Sequence, residues 1–412
     1  MRKPALRKGQ TVWLQRSNPA ARYPVLRGQQ HTEVAVVGGG LTGAMIAHAF
    51  AEHGTSVIVV EAARVAHGST AASTALLLQE PDQDLEALSR RYGPRTARRI
   101  WRLSHDAARD FVHAIRRLKI DCDLREVPSL YYTLSEERAR VLQRELKKRR
   151  SARLGGEWMD EDALLRTSGI HGAGAIKTAG NAQLDPVRAC IGFLSAARKE
   201  GASIYERTTI NRIRTMAGAV RLYSPHGTID ATQVVIATGY ATKYFRPLAG
   251  RFKMRHTYVM ATNRMSRAQR RRLGLGEVML WDTERPYHYV RWTSDHRLLL
   301  GGADRPVRPG ARRSLQFAGA MRDLQEYFTA LYPILNDVGI DRAWEGLFAM
   351  TPDSLPYLGP HRRYPRHAFA LGYGGNGMTF AALAARVLLE QWRGVRSADH
   401  DLFAFGRTAR SA

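Results

Sequence analysis

Cysteine is nearly absent: Cys122 and Cys190 are the two in 412 residues, 68 positions apart, with no CxxC and no neighbouring His cluster. That excludes a disulfide framework and a structural zinc site, and it suits a reducing cytoplasm. Lysine is scarce too, nine residues against 54 arginines. Acidic side chains are few, so 63 basic groups against 37 acidic ones leave a formal charge of +26. Guanidinium groups grip oxyanions with paired hydrogen bonds, which suits a phosphate-bearing or acidic partner; a genome that favours Arg codons gives the same balance. Long uninterrupted apolar runs are also lacking. The nearest approach to a membrane segment, residues 34–51, contains Gly38, Gly39, Gly40 and Gly43 and reads as strand, tight turn and helix. Residues 1–15 are basic with no apolar core behind them, so export is not expected. The expectation is a soluble cytoplasmic protein without a transmembrane segment, with peripheral attachment through basic surfaces left open.

What is present is enough chain for two to three units with buried cores. Residues 1–30, with Pro4, Pro19 and Pro24, read as an extended arm. Strand 34–37, a glycine turn, helix 42–53 and strand 56–60 then form a βαβ unit. Residues 82–120 read as helical, with Ile100, Leu103, Ala107, Phe111, Ile115 and Leu118 on one stripe. Ser135 can cap a helix that starts with Glu136 and Glu137 and ends with Lys147, Lys148, Arg149 and Arg150, an order that suits the helix dipole. That cationic end, like Arg270, Arg271 and Arg272, reads as solvated surface in preference to an RNA contact. A helix over 185–200 precedes strands 203–205, 210–213 and 234–237. Segments 257–262, 277–281, 287–292 and 298–300 then suggest a separate antiparallel sheet. Residues 369–393 repeat the strand, glycine turn and helix of the opening unit, which returns the chain to the first domain.

Gly38-x-Gly40-x-x-Gly43 lies between an apolar strand and a helix, the context a dinucleotide fingerprint needs. The first glycine permits the turn, the second lets backbone approach a pyrophosphate, and the third lets helix pack on strand. Glu61, 23 residues after Gly38 at the end of the second strand, can accept ribose hydroxyls and disfavours a 2′-phosphate. NADP is thereby disfavoured, while NAD and FAD stay open at this point.

Four blocks carry a resemblance to the FAD-dependent amine and amino-acid oxidase family, which includes D-amino-acid oxidase, glycine oxidase, sarcosine oxidase and γ-glutamylputrescine oxidase. They are the fingerprint through Glu61; RVAHGSTAASTA at 64–75; VVIATG at 234–239; and WEGLFAMTPDSLPYLG at 344–359 followed by GYGGNGMT at 372–379. The resemblance covers residues 31–395 and is nearest the γ-glutamylputrescine oxidase branch. It implies an α/β fold: a discontinuous Rossmann-like FAD-binding domain over 31–120, 181–250 and 344–395, and a second α+β substrate domain over 121–180 and 251–343, with an arm 1–30 and a tail 396–412. It implies noncovalent FAD, with Gly38, Gly40, Thr42 and Gly43 at the pyrophosphate, Glu61 at the ribose and Ile210 at adenine, and with Leu41, Ala62 and Arg64 also binding the cofactor. Ser69 and Thr70 would approach the pyrophosphate or isoalloxazine, Gly374, Gly375, Asn376, Gly377 and Met378 would meet the ring, and Gly68, Ala237, Thr238, Gly239 and Thr379 would also bind the cofactor.

The activity implied is oxidation of a CH–NH bond by hydride transfer to flavin N5, giving an imine that water hydrolyses, with oxygen or another molecule as electron acceptor and no metal. Candidate substrate-lining residues are His256, Tyr258, Tyr287, Tyr289 and Arg291, the last three on one strand face by period two. Two positions depart from the family pattern. The Arg that binds a substrate carboxylate in glycine oxidase is Phe348 here, and the strand that carries an oxygen-activating Lys in sarcosine-oxidase-like members has Leu299. A phenyl ring cannot neutralise a carboxylate, so Phe348 points to a primary or secondary amine as substrate, with Arg291 the candidate substitute cation. The alternatives are a conventional D-amino-acid or glycine oxidase, an oxidase of a modified transfer-RNA nucleoside, for which nucleic acid would be a partner but is not favoured, and a flavin-binding assembly protein without turnover.

Overall fold

The computed structural model describes residues 6–16 and 23–407. Its frame is two large sheets. In the first, five parallel strands lie in the order Ser203–Tyr205, Val57–Val60, Gly28–Val37, Gly227–Gly239 and Tyr364–Leu371. Parallel strands need covered faces and therefore read as continuous apolar runs, and Val57–Val60 is buried throughout. A hairpin of Arg212–Thr215 and Val220–Tyr223 pairs with the first half of Gly227–Gly239, and Tyr364–Leu371 pairs with its second half. Helices Leu41–Glu52, Pro186–Lys199 and Gly377–Trp392 pack on this sheet around one core. The chain therefore returns to the first sheet after more than a hundred residues spent elsewhere, as the repeated strand, turn and helix of 369–393 implied.

The second sheet has nine strands, in the order Arg7–Gly9, Ile340–Met350, Lys253–Thr262, Leu298–Pro306, Tyr289–Trp292, Met279–Asp282, Ser129–Thr133, Gly174–Thr178 and Glu157–Met159. All neighbours are antiparallel except Met279–Asp282 with Ser129–Thr133. Helix Ala311–Leu331 covers one face, burying Tyr258, Met260, Leu300 and Phe328. The other face, through Val259, Ala261, Leu299 and Trp344, joins the core of the first sheet's helices. A large cavity opens between the two sheets.

Several expectations are corrected. Pro4 and Pro19 lie outside the described residues, but the described part of 1–30 is no loose arm: Arg7–Gly9 pairs with Ile340–Met350, and Trp13 is fully buried, its indole N–H donating to the Ser73 carbonyl at 2.8 Å. The described part of 396–412 is also anchored, because Arg407 is buried and donates to both Asp353 oxygens at 2.7 and 3.0 Å. The expected boundary at residue 344 falls inside Ile340–Met350, a strand of the second sheet. The helical stretch 82–120 is two helices, Leu85–Tyr92 and Pro94–Arg117, divided at Gly93, whose φ is +82°. Glycine followed by a proline at the next helix's first position ends one helix and starts another. Arg149 is not solvated: it is buried against the Trp101 ring and donates to Glu145 at 2.9 Å, and Glu145 in turn accepts the Leu85 and Glu86 backbone N–H groups at the start of Leu85–Tyr92. Ile210 precedes its strand, which begins at Arg212.

Replacing Trp13 by Ala should therefore cost about 3–5 kcal/mol, the usual effect of deleting a buried aromatic. Chemical denaturation of the holoprotein reads it, and a change of less than about 1 kcal/mol would mean the segment is an appendage after all.

Candidate active site

At one end of the cavity the first strand turns sharply into helix Leu41–Glu52. Gly38 has φ +120°, and a Cβ there would lie 2.5 Å from the Ala237 carbonyl oxygen; a Cβ on Gly43 would lie 1.9 Å from the Gly38 carbonyl oxygen. Only glycine lets the helix sit this close, and its first turn consequently opens onto the cavity. No side chain caps that helix at Gly40, although Thr70 Oγ1 accepts the Leu41 N–H at 3.0 Å. Uncapped N–H groups at a helix start form a ready anion site. Glu61 is held by two backbone donors, Gly39 N–H and Ala63 N–H, both at 2.9 Å, with its carboxylate on the cavity wall. The start of Gly377–Trp392 also lacks a side-chain cap and faces the same space through Gly377 and Met378.

The other end is built by the second sheet. Thr257, Tyr289 and Phe348 project into the cavity with Trp281, Tyr287, Asp82 and Asp304. Tyr289 and Thr257 hydroxyls are 2.8 Å apart, and the Tyr287 hydroxyl donates to Asp82 at 3.3 Å. Burial keeps both tyrosines protonated by raising their pKa well above the ordinary value. Asp304 arrives through a β-bulge. Leu299 and Gly301 look toward the first sheet, and strict alternation would send Ala303 there and Asp304 to the helix side. The register slips between His256 and Tyr258, Ala303 takes φ +53° and joins the core under Ala311–Leu331, and Asp304 turns into the cavity. Burial with Asp82 nearby pushes the Asp304 carboxyl up to about 7.

The cavity, about 780 Å³, collects most of the expected cofactor residues: Gly38, Gly40, Leu41, Thr42, Glu61, Ala62, Arg64, Gly68, Ser69, Thr70, Ile210, Ala237, Thr238, Gly239, Gly374, Gly375, Asn376, Gly377 and Met378 all line it. Gly43 and Thr379 stand behind the lining; Gly43 lets the helix approach, and Thr379 Oγ1 donates to the Leu78 carbonyl. Of the expected substrate residues, Tyr287, Tyr289 and Phe348 line the cavity and His256, Tyr258 and Arg291 do not. His256 and Tyr258 alternate with Thr257 and face the opposite side, where Tyr258 packs on Phe317. Arg291 is buried among carbonyl oxygens, donating to Ala75 at 2.9 Å and Leu184 at 3.0 Å, with its guanidinium 5.2 Å from the Trp13 ring. Asp82, Asp304, Thr257 and Trp281 were not foreseen.

A family model described as DAO, FAD dependent oxidoreductase, matches residues 33–407. The chain belongs to this family. The gamma-glutamylputrescine oxidoreductase of Escherichia coli (strain K12) is 29% identical over 407 residues, covering 96% of this chain and 93% of that relative. A glycine oxidase of Bacillus licheniformis is 25% identical over 368 residues, covering 87% of this chain and 92% of its own. Among solved structures, glycine oxidase from Geobacillus kaustophilus has the same fold, with a TM-score of 0.77 at 22% identity over 92% of this chain and 99% of that one. The oxidoreductase fits its cofactor on its own geometry: two uncapped helix starts, a glycine turn that leaves no room for a Cβ, and an acidic side chain fixed beside them suit a dinucleotide such as FAD. Among the described residues no group of three metal-ligating side chains is found, and no helix is long and apolar enough to cross a membrane.

Replacing Glu61 by Ala is expected to weaken FAD binding by about 1.5–3 kcal/mol, roughly tenfold or more, because a hydrogen bond to a charged group is lost. Titration of the apoprotein measures it. Unchanged affinity would place the ribose elsewhere.

Proposed function

We propose that this oxidoreductase oxidises the CH–NH bond of a primary or secondary amine, giving an imine that water hydrolyses. FAD, when bound, supplies the hydride acceptor. The glycine turn with Leu41 and Thr42 would hold its pyrophosphate, Glu61 its ribose and Ile210 its adenine, while Gly374 to Met378 would meet the ring. Tyr287, Tyr289, Trp281 and Phe348 exclude water from the reacting carbon, and the protonated tyrosine hydroxyls can orient a neutral amine nitrogen.

One observation carries the choice of an amine over a small amino acid. Among the described residues the basic side chains lining the cavity are Arg64 and Lys243, which stand with Glu61 and with Tyr244, the residue whose hydroxyl donates to the Ile210 carbonyl. The other end has Phe348 where the resemblance puts a carboxylate-binding Arg, and the candidate substitute Arg291 is bonded to backbone carbonyls outside the cavity. Burying a substrate carboxylate there unpaired would cost several kcal/mol. The acidic groups at that end also oppose a transfer-RNA substrate, whose phosphates would have to approach them. Neither Cys nor His lines the cavity among the described residues, which supports noncovalent attachment, and two buried free thiols support a cytoplasmic location. Oxygen or another small molecule would take the electrons onward.

Alkylamines should reduce the bound flavin about tenfold faster than glycine, sarcosine or D-alanine, a difference of about 1.4 kcal/mol in barrier. Anaerobic stopped-flow mixing measures it; equal or faster reduction by the small amino acids would sink the amine reading and turn attention to Arg255, which faces Phe348 across the strand pair. Acid or heat should release intact FAD into the supernatant. Yellow colour retained by the precipitate would contradict noncovalent binding.

A further inference from the structure

Amine oxidation by itself gives no work to the two carboxylates at the substrate end. Asp82 is fixed in place: Oδ2 accepts the Gly375 N–H at 3.0 Å and Oδ1 the Tyr287 hydroxyl at 3.3 Å. A Cβ on Gly375 would come 2.1 Å from that hydroxyl, so the arrangement depends on glycine there. Asp304 is turned into the cavity by its bulge, and its Oδ1 has no hydrogen-bond partner. The two acids act on each other electrostatically, and the rings of Trp281, Tyr287 and Tyr289 stand beside them. A pair of carboxylates walled by aromatic faces is a site for an ammonium ion.

The nitrogen that is oxidised cannot be that ion, because its α-carbon gives up hydride only when the nitrogen is an uncharged base with a lone pair to form the imine. On the amine reading above, we infer that Asp82 and Asp304 together bind a second, non-reacting ammonium group, which makes the substrate a diamine or polyamine. The charge on the pair varies with pH. Burial and Asp82 raise the Asp304 carboxyl to about 7, against the opposing pull of Thr257, Arg255 and His288, while Tyr287 and Tyr289 beside it stay protonated. Burial raises the Asp82 carboxyl as well, against the Gly375 N–H, the Tyr287 hydroxyl and Arg285; below about pH 7 a proton must leave Asp304 before the cation enters, and above it Asp304 is already ionised. Affinity for a dication therefore rises from about pH 6 to about pH 8 and then levels off.

The test uses the FAD-loaded enzyme under nitrogen, comparing 1,4-diaminobutane and 1,6-diaminohexane with n-butylamine and n-hexylamine. The better diamine should half-saturate flavin reduction at about tenfold lower concentration than its matched monoamine. In D304N and in D82N that preference should collapse to about twofold or less, with the limiting reduction rate less affected than the half-saturating concentration. Hexamethonium, whose two charges do not titrate, should perturb the flavin absorbance at lower concentration at pH 8 than at pH 6 in the parent enzyme, and with a flatter profile in D304N. Equal half-saturation by matched monoamines and diamines overturns the inference while leaving amine oxidation standing. So does a diamine preference that survives both substitutions, and should one variant fail to load FAD, the parent comparison and the other variant decide. Reduction by no amine at all overturns both readings.

Discussion

A methyl group on Gly43 would sit 1.9 Å from the Gly38 carbonyl oxygen, and the geometry of the molecule follows from that closeness. Because the helix lies against the strand turn, its first turn opens onto the space between the sheets. The same turn places Gly39 N–H on Glu61 and Leu41 N–H on Thr70, which fixes the second strand and the short helix Ser69–Ala72 relative to Leu41–Glu52. From that short helix, Ser69 donates to the Leu347 carbonyl at 2.8 Å and Ala72 accepts the Trp344 indole N–H at 2.9 Å, so one short segment ties the second sheet to the glycine turn. The cofactor end and the substrate end are thus parts of one chain of hydrogen bonds.

The residues legible in the sequence are those whose role is local. The fingerprint, Glu61, the 234–239 strand end and the 372–379 turn each announce themselves within a few positions, because tight turns and helix starts constrain neighbours along the chain. Phe348 was legible for a different reason: its segment aligns with the family pattern without a gap. What failed was parity and long-range pairing. His256 and Tyr258 were one residue out of phase with the cavity face, and a period-two reading has no means of choosing between faces when both are buried. Asp304 was hidden by a bulge, which inverts the alternation at one point and leaves little trace besides Gly301-Gly302. Arg291 does lie on the expected strand, but its acceptors are 216 and 107 residues away, and no local pattern signals them. The partners of Arg7–Gly9 are farther still, on Ile340–Met350.

Net charge was the least informative sequence quantity for the site. A chain of +26 presents at its substrate end two acids and no lining cation among the described residues. Several arginines act inside the fold instead: Arg407 ties the end of the described chain to Asp353, Arg149 joins Glu145, Arg297 joins Asp341, and Arg291 gathers carbonyl oxygens. Guanidinium suits such duty because five donors in a fixed plane can satisfy several acceptors at once, at a smaller hydration cost than an ammonium. The scarcity of lysine thus leaves its mark in the core as well as on the surface.

The two ends of the cavity then divide the electrostatic work. Where a pyrophosphate would lie, helix N–H groups and Arg64 supply positive potential; where an amine would lie, Asp82 and Asp304 supply negative potential within the same low-dielectric space. On the amine reading each end would repel the other's ligand. A dianionic cofactor fragment would be disfavoured beside the acids and an ammonium beside the helix starts, so that charge would set orientation before any close contact forms. On the amine reading, Phe348 without the acids would leave this end merely apolar and open to any small amine. On the diamine reading the bulge at Ala303 would make this end selective, since it brings in a carboxylate that the regular strand would have sent to the far side of the sheet.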